Sequence, residues 1–167
     1  FTRIDKAQII ALDKSIKQIE VLIKEAIAAD AELQRLYDLL LSVDGVGPVL
    51  AAHLLALTDG FLRFTTAREL ACHAGVAPFE VSSGSRIRGK TRVSKQAQST
   101  LKYILHMAAV GLTARKGDLQ DYWKRKVAEG KHKMSVLNAI RNKLIHRIYT
   151  VIARGTPYVK RTEVIAA

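Results

Sequence analysis

The sequence predicts a mainly all-α fold. A long N-terminal coiled-coil helix is followed by a compact helical domain with a helix-hairpin-helix and a basic loop or small hairpin. Three observations carry this. Apolar residues recur at 3-4 spacing along most of the 167 residues. Glycine and proline interrupt that spacing at only a few points. One stretch, residues 79–93, abandons it for Ser, Gly, Arg and Lys. A hydrophobic share of 49% is ample for a packed core. No run of about 18 apolar residues exists to cross a membrane. Phe1-Thr2-Arg3-Ile4-Asp5 lacks the basic start and apolar centre of a signal peptide. Cys72 is the one cysteine, which excludes an internal disulfide framework and fits a reducing compartment. The chain starts at Phe1 and its methionines are Met107 and Met134, so it is expected to be part of something longer.

The first element is one long helix. Ile9, Leu12, Ile16, Ile19, Ile23, Ala26, Asp30, Leu33, Tyr37 and Leu40 keep an unbroken 3-4 spacing, the seam of a coiled coil. Thirty-two residues span roughly 48 Å, more than a domain of the remaining size can cover. Residues 1–40 are therefore expected to form a homo-oligomer, dimer or higher, with an intramolecular bundle helix as the alternative. Asp30 sets register, or marks a break at Ala28-Ala29-Asp30.

Residues 41–155 form the helical domain. In Leu41-Ser42-Val43-Asp44-Gly45-Val46-Gly47-Pro48, two glycines bracket Val46 and Pro48 sits where a first helical turn accepts it. With the apolar run to Leu57 this is helix-hairpin-helix spacing, and Gly45 and Gly47 would let a phosphate approach the free N–H groups of the second helix. A short helix over Thr66–His73, capped by Thr65 or Thr66, precedes the break at Ala74-Gly75-Val76-Ala77-Pro78. Residues 79–93 follow as an exposed loop, or a small hairpin around Ser83-Gly84. Ser94 is the expected cap of the next helix, through Leu101, Leu105 and Leu112. Leu119–Glu129, closed by Gly130, and a last helix from Met134 to Val151 complete the domain. Residues 156–167 read as a frayed tail.

Charge divides the chain. Residues 1–80 hold 8 Lys+Arg and 11 Asp+Glu; residues 81–167 hold 19 and 4. Between Val81 and Gly117 there are eight basic residues and no acidic one. A packed domain tolerates such self-repulsion poorly without a polyanion, so nucleic acid is the expected partner. A membrane surface fits less well, because 86–95 lacks the apolar face of an interfacial helix.

The histidines, His53, His73, His106, His132 and His146, are far apart, and none forms a zinc-like pair with cysteine. The basic half has no paired carboxylates for a two-metal nuclease centre. The chemistry that remains lies in Ser82-Ser83-Gly84-Ser85-Arg86-Ile87-Arg88-Gly89-Lys90-Thr91-Arg92-Val93-Ser94-Lys95. Guanidinium and ammonium groups there attract a phosphodiester, and a serine hydroxyl can attack phosphorus once a base removes its proton. Local chemistry does not choose among Ser82, Ser83 and Ser85, and an ordinary Ser-Gly turn is the alternative.

Val43–Pro48, Phe64–Leu70, Ala74–Pro78, Ser82-Ser83-Gly84, Gly89-Lys90, Val93-Ser94-Lys95, Gly130-Lys131 and Arg141-Asn142-Lys143-Leu144 form an ordered series. Over about residues 40–152 it resembles the C-terminal half of the Piv-like insertion-sequence transposases, the IS110 family. The resemblance implies a DNA recombinase in two parts. An N-terminal RuvC-like domain would hold divalent metal (Mg) in an acidic set, and a C-terminal domain would supply a serine nucleophile, which maps onto Ser83. It also implies a structured guide RNA beside DNA as partner, and a cytoplasmic, nucleoid-associated place in a bacterium or archaeon. This fragment is expected to hold no cofactor and to be inactive alone, since it contains no candidate for the acidic domain. Nucleic-acid contacts are then expected from Gly45, Gly47, Arg86, Arg88, Lys90, Arg92, Lys95, Arg141 and Lys143, with Arg147 close by. Gln96-Ala97-Gln98 departs from the family, which usually has a glycine-containing turn there. The competing expectation is a non-catalytic helix-hairpin-helix module that binds nucleic acid and dimerises.

Overall fold

The computed structural model describes residues 3–77, 82–83, 87–88 and 98–159, of which 3–4, 82–83 and 87–88 are described by backbone alone. Seven helices and one short ladder make up the described chain: α1 (Arg3–Ala28), α2 (Ala31–Leu41), α3 (Pro48–Thr58), α4 (Ala67–His73), β1 (Ser82–Ser83), β2 (Ile87–Arg88), α5 (Ser99–Ala114), α6 (Asp118–Ala128) and α7 (Lys133–Arg154). None of the described helices is long and apolar enough to cross a membrane.

The expected single helix over residues 9–40 is two helices. The chain leaves helical geometry at Ala29-Asp30, where Asp30 is extended (φ −118°, ψ 116°). Its Oδ1 accepts from the N–H groups of Glu32 at 2.9 Å and Leu33 at 3.0 Å. A short acidic side chain competes for backbone donors and so favours a new N-terminus over continued helix. Of the two alternatives for Asp30, the break holds. α2 then enters the core through Leu36, Tyr37, Leu39 and Leu40. In α1 Ile27 is buried, while Ile9, Leu12, Ile16, Ile19 and Ile23 are each at least 41% exposed. A helix of 26 residues reaches about 39 Å, so most of its apolar stripe extends beyond the domain.

α7 is the centre of the domain and packs against α2, α4, α5 and α6. It buries Val136, Leu137, Ile140, Leu144, Ile145, Ile148 and Val151, at about 1.5–3 kcal/mol of transfer free energy each. α3 contributes Leu50, Leu54 and Leu55, and α5 contributes Leu101, Leu105 and Leu112. The buried Thr58 hydroxyl donates to Leu54 O at 2.7 Å and accepts from Phe61 N at 2.9 Å, so it adds no unsatisfied group. α4 starts at the expected Thr66, whose Oγ1 accepts from Glu69 N while the Glu69 carboxylate reaches back to Thr65 N. Tyr149 on α7 donates to Phe64 O at 3.1 Å. Burial, then the Glu69 charge, pushes its phenol up to about 12.

Two further expectations change. Ser94 lies outside the described residues, and the helix it was expected to cap begins at Ser99. Gln98 is the cap, its Oε1 accepting from Leu101 N at 3.2 Å. The tail is not wholly frayed. Tyr158 N donates to Ser42 Oγ at 2.9 Å, and the Tyr158 ring packs on the core. Residues 160–167 lie outside the described ones.

Candidate nucleic-acid interface

The basic segment leaves and rejoins the domain at one place, the last turn of α4. On the way out, Val76 N and Ala77 N both donate to Ala71 O, at 3.0 and 3.1 Å, and Gly75 takes the left-handed φ of +62° that this wrap requires. On the way back, Gln98 N donates to His73 O at 3.1 Å. Asn138 on α7 donates from Nδ2 to Val76 O at 2.8 Å. Gln98 Oε1 also lies 3.5 Å from His53 Nε2 on α3. Residues of three helices, α3, α4 and α7, therefore hold the root of residues 78–97. Within that segment β1 and β2 pair antiparallel, Ser82 opposite Arg88 and Ser83 opposite Ile87, in keeping with the small-hairpin expectation. Ser85, Arg86, Lys90, Arg92 and Lys95 lie outside the described residues.

The two glycines of the α2–α3 turn do different jobs. Gly45 has φ +92°, and a Cβ there would stand 2.6 Å from Leu112 Cδ1 and 2.7 Å from its Cγ. It is required by both backbone geometry and the close approach of α5. Gly47 has ordinary extended geometry (φ −100°, ψ 174°), precedes Pro48 at the start of α3, and nothing within 4 Å would meet a Cβ. It leaves open space in front of the first turn of α3. Beside this turn is a cleft of about 160 Å³ that includes Asp44, Gly45, Arg115, Lys116, Asp118 and Arg147. Arg115 and Lys116 are exposed at its edge.

The three basic residues expected to act together on α7 are separated. Lys143 is exposed, with Nζ 4.9 Å above the Tyr122 ring centroid on α6. Arg147 forms a two-pronged ion pair with Asp118 and lies 5.4 Å from the Tyr158 ring centroid. Its charge is therefore shared with Asp118 and the Tyr158 ring. Arg141 turns the other way. It is 6% exposed and its Nε has no hydrogen-bond partner. No carboxylate among the described residues pairs with it, and burial lowers its pKa from the ordinary value. Arg141 is thus buried where Lys143 is exposed.

Sequence reasoning missed Asn138 and Gln98, which fix the root, and the placing of Arg115 and Lys116 beside the glycine turn. Asn138 had a usable signal: an amide beside the buried Val136, Leu137 and Ile140 of α7 needs a partner. Among the described residues, no group of three His, Cys, Asp or Glu side chains is arranged to hold a metal ion.

Residues 37–124 match the model of the transposase IS116/IS110/IS902 family. The chain is 32% identical over 148 residues to the pilin gene-inverting protein of Moraxella lacunata, covering 88% of this chain and 46% of that protein. It is 30% identical over 138 residues to the insertion element IS116 uncharacterized 44.8 kDa protein of Streptomyces clavuligerus, covering 82% and 33% respectively. A probable family 20 transposase of Pseudomonas aeruginosa is 28% identical over 156 residues, covering 92% and 45%. The chain thus spans less than half the length of these relatives.

Proposed function

The chain belongs to the IS116/IS110/IS902 transposase family, and from that membership we propose that it is the DNA-gripping, serine-bearing part of a recombinase, with Ser83 as nucleophile. The observation that supports this most is the basic segment, fixed at both ends to one turn of α4 and free of acidic residues from Val81 onward. Such a root holds the two ends of the cationic segment at a defined place, from which it can meet a phosphate backbone. Arg86, Arg88, Lys90, Arg92 and Lys95 attract the DNA, and Lys143 adds an exposed charge on α7. Ser83 Oγ bonds to phosphorus as the bond from phosphorus to one deoxyribose oxygen breaks. The serine proton passes to a base outside this chain, and the departing sugar oxygen takes up a proton. Attack by a new sugar hydroxyl reverses these steps and reseals the strand without an energy source.

Divalent metal would offset charge on the phosphate, held in an acidic domain outside this chain. The described residues do not fit that role themselves. A structured guide RNA is the second polyanion that the +15 half can accept. Homo-oligomerisation through residues 1–40 rests on the exposed apolar stripe of α1.

Ser83→Ala in the full-length recombinase should abolish the covalent protein–DNA adduct on a denaturing gel while DNA affinity stays within about twofold. A mutant that still forms the adduct would sink the assignment. The non-catalytic reading is favoured by one observation, the open space at Gly47 before α3. It requires Ser83→Ala to leave recombination unchanged and Gly47 substitutions to weaken binding.

A further inference from the structure

Arg141 is the one cation in the described chain that is more than nine-tenths buried. A guanidinium does not lose its proton in a protein, so the charge is present, and its Nε is removed from water. An uncompensated buried charge costs several kcal/mol. The described residues give no compensation: its Nε has no partner, and none of their carboxylates lies within ion-pair distance. The sequence offers little more, since Glu80 is the only acidic residue between Glu69 and Asp118. Among the described residues the charge therefore lacks an anion.

Position says where that anion comes from. Asn138, Arg141 and Asn142 follow 3-4 spacing and share one face of α7. Asn138 on that face holds Val76 O, two residues before the basic segment. Asn142 Oδ1 has no partner either, nor does His106 Nδ1 on α5, the helix packed against α7. Turned over, the Asn142 amide would present its NH₂ to an anion in place of the orphaned oxygen. Buried polar groups are ordinarily paired, so two orphans adjacent on one face of α7, one of them a cation, mark an incomplete site.

We propose that Arg141 is the receptor for a single DNA phosphodiester group at the root of residues 78–97, with Asn142 as its second donor. This rests on the reading of the chain as a DNA-binding part of a recombinase. It assigns Arg141 a different role from the exposed basic residues: they attract the strand along its length, whereas Arg141 fixes one phosphate in a water-poor place. A bidentate guanidinium suits that task better than an ammonium.

The test uses Arg141→Met and Arg141→Lys, with Ser83→Ala alongside. Thermal unfolding is followed in sodium chloride and in sodium phosphate of equal ionic strength, and affinity is measured for a short DNA duplex and an RNA duplex of equal length. Phosphate should raise the midpoint of the unsubstituted chain progressively with concentration. Arg141→Met should unfold in chloride at or above the unsubstituted midpoint, because an unpaired buried charge has gone, and should lose the phosphate-specific rise. Its DNA affinity should fall roughly tenfold to a hundredfold and its salt slope by about one. Arg141→Lys should keep part of both responses.

A phosphate response unchanged in Arg141→Met overturns the proposal, as does unchanged DNA affinity. Loss confined to RNA overturns the DNA assignment. Glu80→Gln is the control for an internal partner: if it removes stability that Arg141→Met also removes, the anion is Glu80 and the proposal fails. Ser83→Ala should keep the phosphate response, so a failed nucleophile assignment stays distinguishable from a failed receptor.

Discussion

At Gly45 two constraints coincide, a left-handed backbone and the Leu112 side chain 2.6 Å from where a Cβ would be. Gly45→Ala is expected to cost about 2–4 kcal/mol, combining positive-φ strain with overpacking. Gly47→Ala is expected to cost less than about 1 kcal/mol, because the backbone is ordinary and the space is open. Chemical denaturation of the two variants checks this, and equal losses would refute the division of roles. The sequence marks both glycines equally, since spacing reveals a turn but not which member is pressed against α5. Charge is legible in the same incomplete way. Arg141, Lys143 and Arg147 look alike within two turns, yet one is buried, one lies over Tyr122 and one pairs with Asp118. Helical angle separates them: positions 143 and 147 share a face and 141 does not. The α6 partners of Lys143 and Arg147 lie 21 and 29 residues away, beyond the reach of local pattern.

Among the described helices, α1 carries the longest run of exposed apolar residues. Ile10, Leu12 and Leu22 are each more than 60% exposed, while Ile27 in the last turn is buried. Light scattering of the chain at about 100 μM should give at least twice the 18.5 kDa mass, and Leu12→Glu with Ile19→Glu should return it to monomer. A monomeric unsubstituted chain would refute assembly through α1. Helix types and most boundaries were legible, because Thr66, Pro48 and Gly155 end or begin elements by their own chemistry. The break at Asp30 was legible only as an alternative. Apolar spacing carries on across it from Ala26 to Leu33 and Tyr37, and spacing alone does not register a capping carboxylate. Gln98 escaped notice for the opposite reason, being a weak cap by type that succeeds through its neighbours.

For the molecule as a whole, the net +12 sums a mildly acidic half and a strongly basic one. If about six phosphates are contacted, log affinity against log salt should slope near −5 for duplex DNA. A flat response in a filter-binding or anisotropy titration would exclude nucleic acid as the main partner. The composition made that partner class legible from the start, and the ordered motifs made the family legible. What neither could supply was the anchoring of residues 78–97, because hydrogen bonds from Asn138 to Val76 and from Gln98 to His73 join distant parts of the chain. That shared anchorage has an evolutionary consequence. A twenty-residue insert whose two ends meet on a single helical turn is topologically a cartridge: its length and sequence can drift, or be exchanged between relatives, without altering how the helices beneath it pack. New specificities can then be tried on an unchanged chassis.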